Sequence, residues 1–261
     1  MSKVSDIPVG EFLSFGRALD KTPYTGVGAE LTWVKMNDSC DFIAERPLTS
    51  VIFDMAEPEN TNKDRRERGV NFFPRSNLFQ WLNSEGEGWF KPMTPSDTMS
   101  YNPLLNMSCG FLSSFTPYER SMLLPRPYSI VTPSGFKKAF GEVFKTESLV
   151  SIPSAKELGI CRIDPLQIQE EGEVMHSRVL ERLYRVQAFT RTSIGASIFR
   201  VDAPKGKIHG VAPCTTSNVF PIIRVNPDCE VECEDHWPFG YYINPYLLDE
   251  GDQSLSQIWS M

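Results

Sequence analysis

Asn71-Phe72-Phe73-Pro74-Arg75-Ser76-Asn77-Leu78-Phe79-Gln80-Trp81-Leu82-Asn83-Ser84 reads as a capped helix entering a core. Ser76 carries the short hydroxyl that accepts from a first-turn amide, and Leu78, Trp81 and Leu82 follow on one helical face at i, i+3 and i+4. That face is expected to be buried.

To its N-terminal side, residues 31–36 (LTWVKM) and 48–54 (LTSVIFD) are short β-branched and aromatic runs bounded by Gly, Asn, Pro and Asp, the pattern of strands. Residues 57–71 (EPENTNKDRRERGVN) lack apolar periodicity and read as a long exposed loop. Its bases Lys63, Arg65, Arg66 and Arg68 alternate with Asp64 and Glu67, which marks a solvated surface rather than a dedicated anion grip. On the C-terminal side, Thr116-Pro117-Tyr118-Glu119 is a capping box with proline at the first helical position, closed off by Pro125 and Pro127. A second box, Ser154-Ala155-Lys156-Glu157, predicts a turn or two of helix ended by Gly159. Met175, Val179, Leu180, Leu183 and Tyr184 form one stripe, an amphipathic helix over 174–184. Strands return after it: Phe199 and Val201 alternate with Arg200 and Asp202, residues 204–206 make a turn, and Val219, Ile223 and Val225 share a face. Pro221 cannot donate to a ladder, so that last strand belongs at an edge or a bulge.

The bulk numbers frame these elements. The chain has 261 residues, 41% apolar and 23% charged, enough to bury one large core. Twenty prolines and seventeen glycines point to many turns and few long helices. A net charge of −7 removes the electrostatic term on which phosphate-backbone binding rests, so nucleic acid is not an expected partner. The N-terminal residues show no apolar signal core and no window approaches the ~18 apolar residues of a membrane span, so membrane insertion is not expected. Six cysteines, unaccompanied by a signal peptide, read as reduced thiols.

Catalytic signals are sparse. His176, His209 and His236 are the three histidines, and none sits in a catalytic pattern; nucleophile-elbow, P-loop, HExxH and dinucleotide motifs are absent. Cys229-x3-Cys233-x2-His236 has the spacing of half a zinc site, without a second pair. If CEVEC is extended, Cys229 and Cys233 stand about 13 Å apart at ~3.3 Å per residue, beyond the ~7 Å reach of a disulfide. No metal or other cofactor is expected.

Several stretches, read together, resemble an uncharacterised domain family common in Gram-positive bacteria and in their phages and prophages. Residues 71–84 resemble its N-x-Y-x-x-S-x-L-R-x-W-L-N signature, Gly10 to Phe15 its opening strand, and Gly110-Phe111-Leu112 with Phe115-Thr116 and Glu119-Arg120 its F-L-x-x-F-S-x-x-E helix. Residues 152–158 are similar to its F-L-P-S-x-x-E-L, residues 189–192 to its W-L-R-S/T strand and residues 219–225 to its V-R-P-A-L-x-L, with Phe189 in place of Trp and Phe220 in place of Arg. The resemblance implies an α+β, C-type-lectin-like fold with mixed antiparallel sheets, two or three short helices and long loops. Residues 1–234 would form that domain and 235–261 an aromatic-rich extension.

The function it implies is that of a phage or prophage virion protein, made in the host cytoplasm, decorating head or tail or attaching to the host, non-enzymatic and homo-oligomeric. Its partners would be other virion proteins and a host cell-surface glycan. Asn60, Lys63, Arg65, Arg66 and Arg68 would lie on a display loop, and Trp237, Phe239, Tyr241, Tyr242, Tyr246 and Trp259 on an assembly surface. The alternative is a metal-dependent or carbohydrate-active enzyme on a scaffold like that of formylglycine-generating enzymes, with Cys229, Cys233 and His236 as the metal candidates.

Overall fold

The computed structural model describes residues 2–18, 28–89, 107, 109–132, 142–159, 162–163, 166–167, 173–175, 177, 179–180, 187–194, 197–202, 207–234 and 240–242. The first part of the chain gives β1 (Ser2–Lys3), β2 (Phe12–Arg17), β3 (Glu30–Lys35), β4 (Asp41–Ala44) and β5 (Thr49–Ile52). Three short helices follow: α1 (Lys63–Arg68), α2 (Asn77–Leu82) and α3 (Pro117–Ser121). Short and medium strands then alternate as β6 (Leu123–Leu124), β7 (Arg126–Val131), β8 (Val143–Ser148), β9 (Val150–Ser151), β10 (Arg162–Ile163) and β11 (Leu166–Gln167). The remainder supplies β12 (Gln187–Ile194), β13 (Ser197–Asp202), β14 (Lys207–Val211), β15 (Thr216–Val219), β16 (Ile222–Val225), β17 (Glu230–Glu234) and β18 (Gly240–Tyr242).

A nine-stranded sheet runs β1-β17-β18-β2-β3-β4-β16-β6, with β9 also paired to β16, and a five-stranded sheet runs β14-β13-β12-β15-β5. β7–β8 and β10–β11 are separate hairpins. One two-stranded ribbon joins the large sheets. β4 pairs with β16 in one sheet, β5 pairs with β15 in the other, and the bonds Ala44 N to Pro221 O (3.0 Å) and Leu48 N to Val219 O (3.0 Å) carry the ladder between them. The bend in the ribbon falls at Phe220-Pro221, where strands change sheet as they do at the corners of orthogonal packings. The proline expected at an edge or bulge thus splits the expected strand into β15 and β16.

The large sheet is buried on both faces around β4, which is why β4 (DFIA) is apolar without alternation after its first residue. Trp33, Phe42 and Ile223 point into the main core, and Val34, Ile43 and Ile222 into a second one with Met175, Val179 and Phe220. Aromatic rings knit the main core. Phe115 stands 5.1 Å from Phe15 and 5.6 Å from Phe111, and Phe53 stands 5.7 Å from Phe189. Gly16, with φ +81°, lets β2 run against that cluster: a Cβ there would lie 2.7 Å from the Phe115 ring.

The quoted stretch works as read. Ser76 Oγ accepts from Phe79 N (3.1 Å), and Leu78, Trp81 and Leu82 are buried. Trp81 Nε1 donates to Cys109 O (3.2 Å), and the Asn83 amide exchanges two bonds with Val150, Nδ2 to its carbonyl (2.9 Å) and Oδ1 from its N–H (3.0 Å). The Thr116 box also forms, with both reciprocal bonds, at the start of α3.

The α+β, C-type-lectin-like fold implied by the resemblance is not what the chain builds. It is β-rich, with several sheets, one of them curled into a half-barrel, and with only short helices among the described residues. The reason is local: α1, α2 and α3 have six, six and five residues, each little more than the capped turn that starts it, whereas the β-branched and aromatic runs extend into full ribbons. Two further expectations change. Residues 57–71 are not wholly loop, since α1 occupies 63–68. The Ser154 box makes both its bonds, yet residues 155–159 form turns rather than an α-helix. Of the 174–184 stripe, Ser177, Val179 and Leu180 are helical and Met175 and Val179 are buried; Leu183 and Tyr184 lie outside the described residues. So do residues 204–206.

Candidate functional site

Four charged side chains from distant parts of the chain meet beneath an open cavity. Asp41 opens β4, Arg126 opens β7, Glu157 sits in the turns after β9, and Arg191 lies in the middle of β12; all four are buried. Arg126 is the hub: Nε donates to Asp41 Oδ2 (2.9 Å), one terminal nitrogen to Ser151 Oγ (3.1 Å) and the other to Glu157 Oε1 (2.5 Å). Arg191 donates to Glu157 Oε2 (2.7 Å), Ser129 O (3.2 Å) and Ile152 O, and its guanidinium stacks 4.9 Å over the Tyr128 ring. Arg224 Nε closes the chain on Asp41 Oδ1 (2.7 Å). Arg191 Nη2 is buried and unpartnered.

The local sequence explains the geometry. The Ser154 capping box turns the Glu157 carboxylate inward, where Oε2 also accepts from Ser154 N (2.8 Å), so the residue that would cap a helix anchors two arginines instead. Burial alone would raise the Glu157 pKa, but Arg191 and Arg126 outweigh it and bring it down to about 2. For Arg126, burial favours the neutral form, yet Glu157 and Asp41 raise its pKa further. Both groups stay charged throughout the physiological range.

The cavity above has a volume of about 420 Å³. Asp41, Arg126, Tyr128, Ser129, Glu157, Met36 and Met175 form its buried floor and wall, and Asn37, Ser39, Lys145, Thr146, Glu173 and Val174 its rim. The floor therefore offers fixed donors and acceptors side by side. It offers little acid–base chemistry, because a carboxylate held near 2 and gripped by two guanidiniums neither delivers nor retains a proton near neutrality.

Among the described residues, Asp54 is the other perturbed carboxyl. Burial pushes its pKa up to about 7 even though Oδ2 accepts from Val70 N (2.6 Å) and Oδ1 from Asn77 N (2.8 Å). Perturbed carboxyls mark active sites, but both oxygens here are spent on backbone amides. Asp54 is a latch that closes the 55–69 excursion onto the start of α2.

That excursion carries the expected display residues. Arg65 is paired with Glu57, and Asn60 donates to the same carboxylate, so these two hold the loop's shape. Lys63 and Arg66 are exposed, whereas the Arg68 carbonyl accepts from Cys214 N (3.1 Å) and ties α1 to the turn before β15. Of the expected assembly residues, Tyr241 is half-buried against the main core and Tyr242 lies beside it in β18, between β17 and β2; Trp237, Phe239, Tyr246 and Trp259 lie outside the described residues. Cys229 is a half-buried free thiol whose pKa is raised by burial, and Cys233 is in β17; His236 lies outside the described residues. Among the described residues no group of three or more His, Cys, Asp or Glu side chains is placed to hold a metal ion. No described helix is long and apolar enough to cross a membrane.

The ion cluster was missed in the sequence because its members are far apart: Asp41 and Glu157 are both bound by Arg126, from opposite sides in the chain. One signal was available, a charged Arg191 in the middle of the strand run Phe189-Thr190-Arg191-Thr192, where an unpaired guanidinium would be intolerable. The architecture and the site together define a β-rich protein with a guanidinium–carboxylate floor under an open cavity. No protein-family model, curated protein or solved structure matches the chain.

Proposed function

We propose that the protein is a non-enzymatic structural or adhesion component of a phage or prophage virion, homo-oligomeric, meeting a host-surface glycan or a neighbouring virion subunit. The observation that carries the non-enzymatic half is the locked floor of the cavity. Arg126, Glu157, Asp41 and Arg191 hold one another in place, which suits a surface that recognises a ligand without changing it. The virion half is supported by the resemblance of residues 71–84 and the later stretches to the phage-associated family. Lys63 and Arg66, exposed on α1, are the display residues left facing solvent.

Mass spectrometry and immunogold labelling of purified particles test this reading: the chain is expected in assembled virions, and its absence from them sinks the proposal. For the aromatic C-terminal part, the informative deletion is 243–261. Removing 237–261 would also strip β18 from between β17 and β2 and unfold the sheet along with any assembly surface. The shorter deletion is expected to abolish incorporation and leave the β-sheet circular dichroism intact.

A further inference from the structure

We infer that the cavity over Arg126 binds a neutral saccharide ring, an inference that rests on the recognition reading and gives it a location. The charges of the site select the ligand class. Arg126 on the floor is flanked by Asp41 and Glu157, and the rim carries one charge of each sign, Lys145 and Glu173. An anion entering the cavity meets two fixed carboxylates, and a cation meets a guanidinium, so an ion of either sign gains little for the water it gives up. A sugar hydroxyl donates and accepts at once. It is matched by a surface that alternates carboxylate acceptors with guanidinium donors at fixed positions.

Shape and preorganisation agree. The volume, about 420 Å³, falls within the ~300–1,000 Å³ of small-molecule sites. Met36, Met175 and Val174 supply apolar wall for the C–H faces of a pyranose, and Val174 is half exposed at the mouth. The floor side chains are already ordered by their mutual bonds, so binding does not have to freeze them.

Ligand-observed NMR on the full chain, with the methyl glycosides of glucose, galactose, mannose, rhamnose and N-acetylglucosamine, tests the inference. At least one glycoside is expected to bind, and the matching uronate and amino sugar to bind about tenfold more weakly. Ser39→Trp, on the exposed rim, is expected to weaken that binding about tenfold with an unchanged melting temperature; Val174→Trp repeats the test from another part of the rim. If none of the glycosides binds, or if both tryptophan variants fold and bind as well as the parent, the cavity is not a saccharide site. Binding unaffected by the rim variants overturns this inference alone, whereas absence of the chain from particles overturns the virion reading and leaves the cavity result standing.

Discussion

Glu157 and Asp54 are both buried carboxylates that receive backbone amides, and their pKa values are driven in opposite directions, to about 2 and about 7. Guanidiniums make the difference. Glu157 is clasped by Arg126 and Arg191, while Asp54 has two amides and, beyond them, the distant opposing charges of Glu57 and Arg65. Two amide bonds do not offset the burial of a carboxylate, and two arginines more than offset it.

The comparison breaks most visibly at Glu157. Glu157→Ala leaves Arg126 and Arg191 buried without their shared partner and is expected to cost ~3–5 kcal/mol in urea unfolding; a loss below ~1 kcal/mol would mean that the cluster is not the anchor described. Gly69→Ala comes next, on the Asp54 side. Its φ is +81° and a Cβ would stand 2.3 Å from Met55 O, so a loss of ~1–3 kcal/mol is expected by the same measurement.

The pH dependence separates the two carboxylates by sign. Glu157 has a folded pKa below its ordinary value of 4.5, so its contribution is complete above that value and is lost as pH falls toward about 2. Asp54 has a folded pKa above its ordinary value of 3.8, so its contribution is complete at low pH and is lost as pH rises toward about 7. Asp54→Asn is therefore expected to become less destabilising between pH 4 and 7, by up to ~1.4 kcal/mol per pH unit. Denaturation of both proteins at pH 5 and pH 8 checks it, and a constant difference would place Asp54 in the ordinary carboxylate range. The smallest effect is expected at Ser76→Ala, which removes the cap beside Asn77 and should cost ~1 kcal/mol. An effect near zero would show that Asp54, rather than the hydroxyl, fixes the start of α2.

What was legible in the sequence was local. Ser76 declared a capped helix because its partner, the Phe79 amide, lies in the first turn, Leu78, Trp81 and Leu82 declared its buried face by their spacing, and residues 31–36 declared β3 through β-branched and aromatic residues bounded by turn formers. The large sheet was not legible, since β4 meets β16 across most of the chain and nothing in Asp41 to Ala44 names that partner. The fold that the resemblance implied failed for the same reason: short motifs speak to the beginnings of elements and leave their assembly open. The candidate site was the least legible part. Its residues are ordinary singly, and Glu157 even presented itself as a helix cap; only their tertiary meeting makes a floor of Asp41, Arg126 and Glu157, held from behind by Arg191 and Arg224.

The ribbon bent at Pro221 has a consequence for synthesis. β16 pairs Ile222 with Ile43, and β1 pairs Ser2 with Val231, so the N-terminal strands wait for residues made some two hundred positions later. High contact order slows folding because loop-closure entropy is spent before the distant pairing rewards it. While the ribosome is still extending the chain, β4 has β3 on one edge only and β5 has no strand to pair with, and their apolar faces must be kept from other nascent chains until the last quarter emerges.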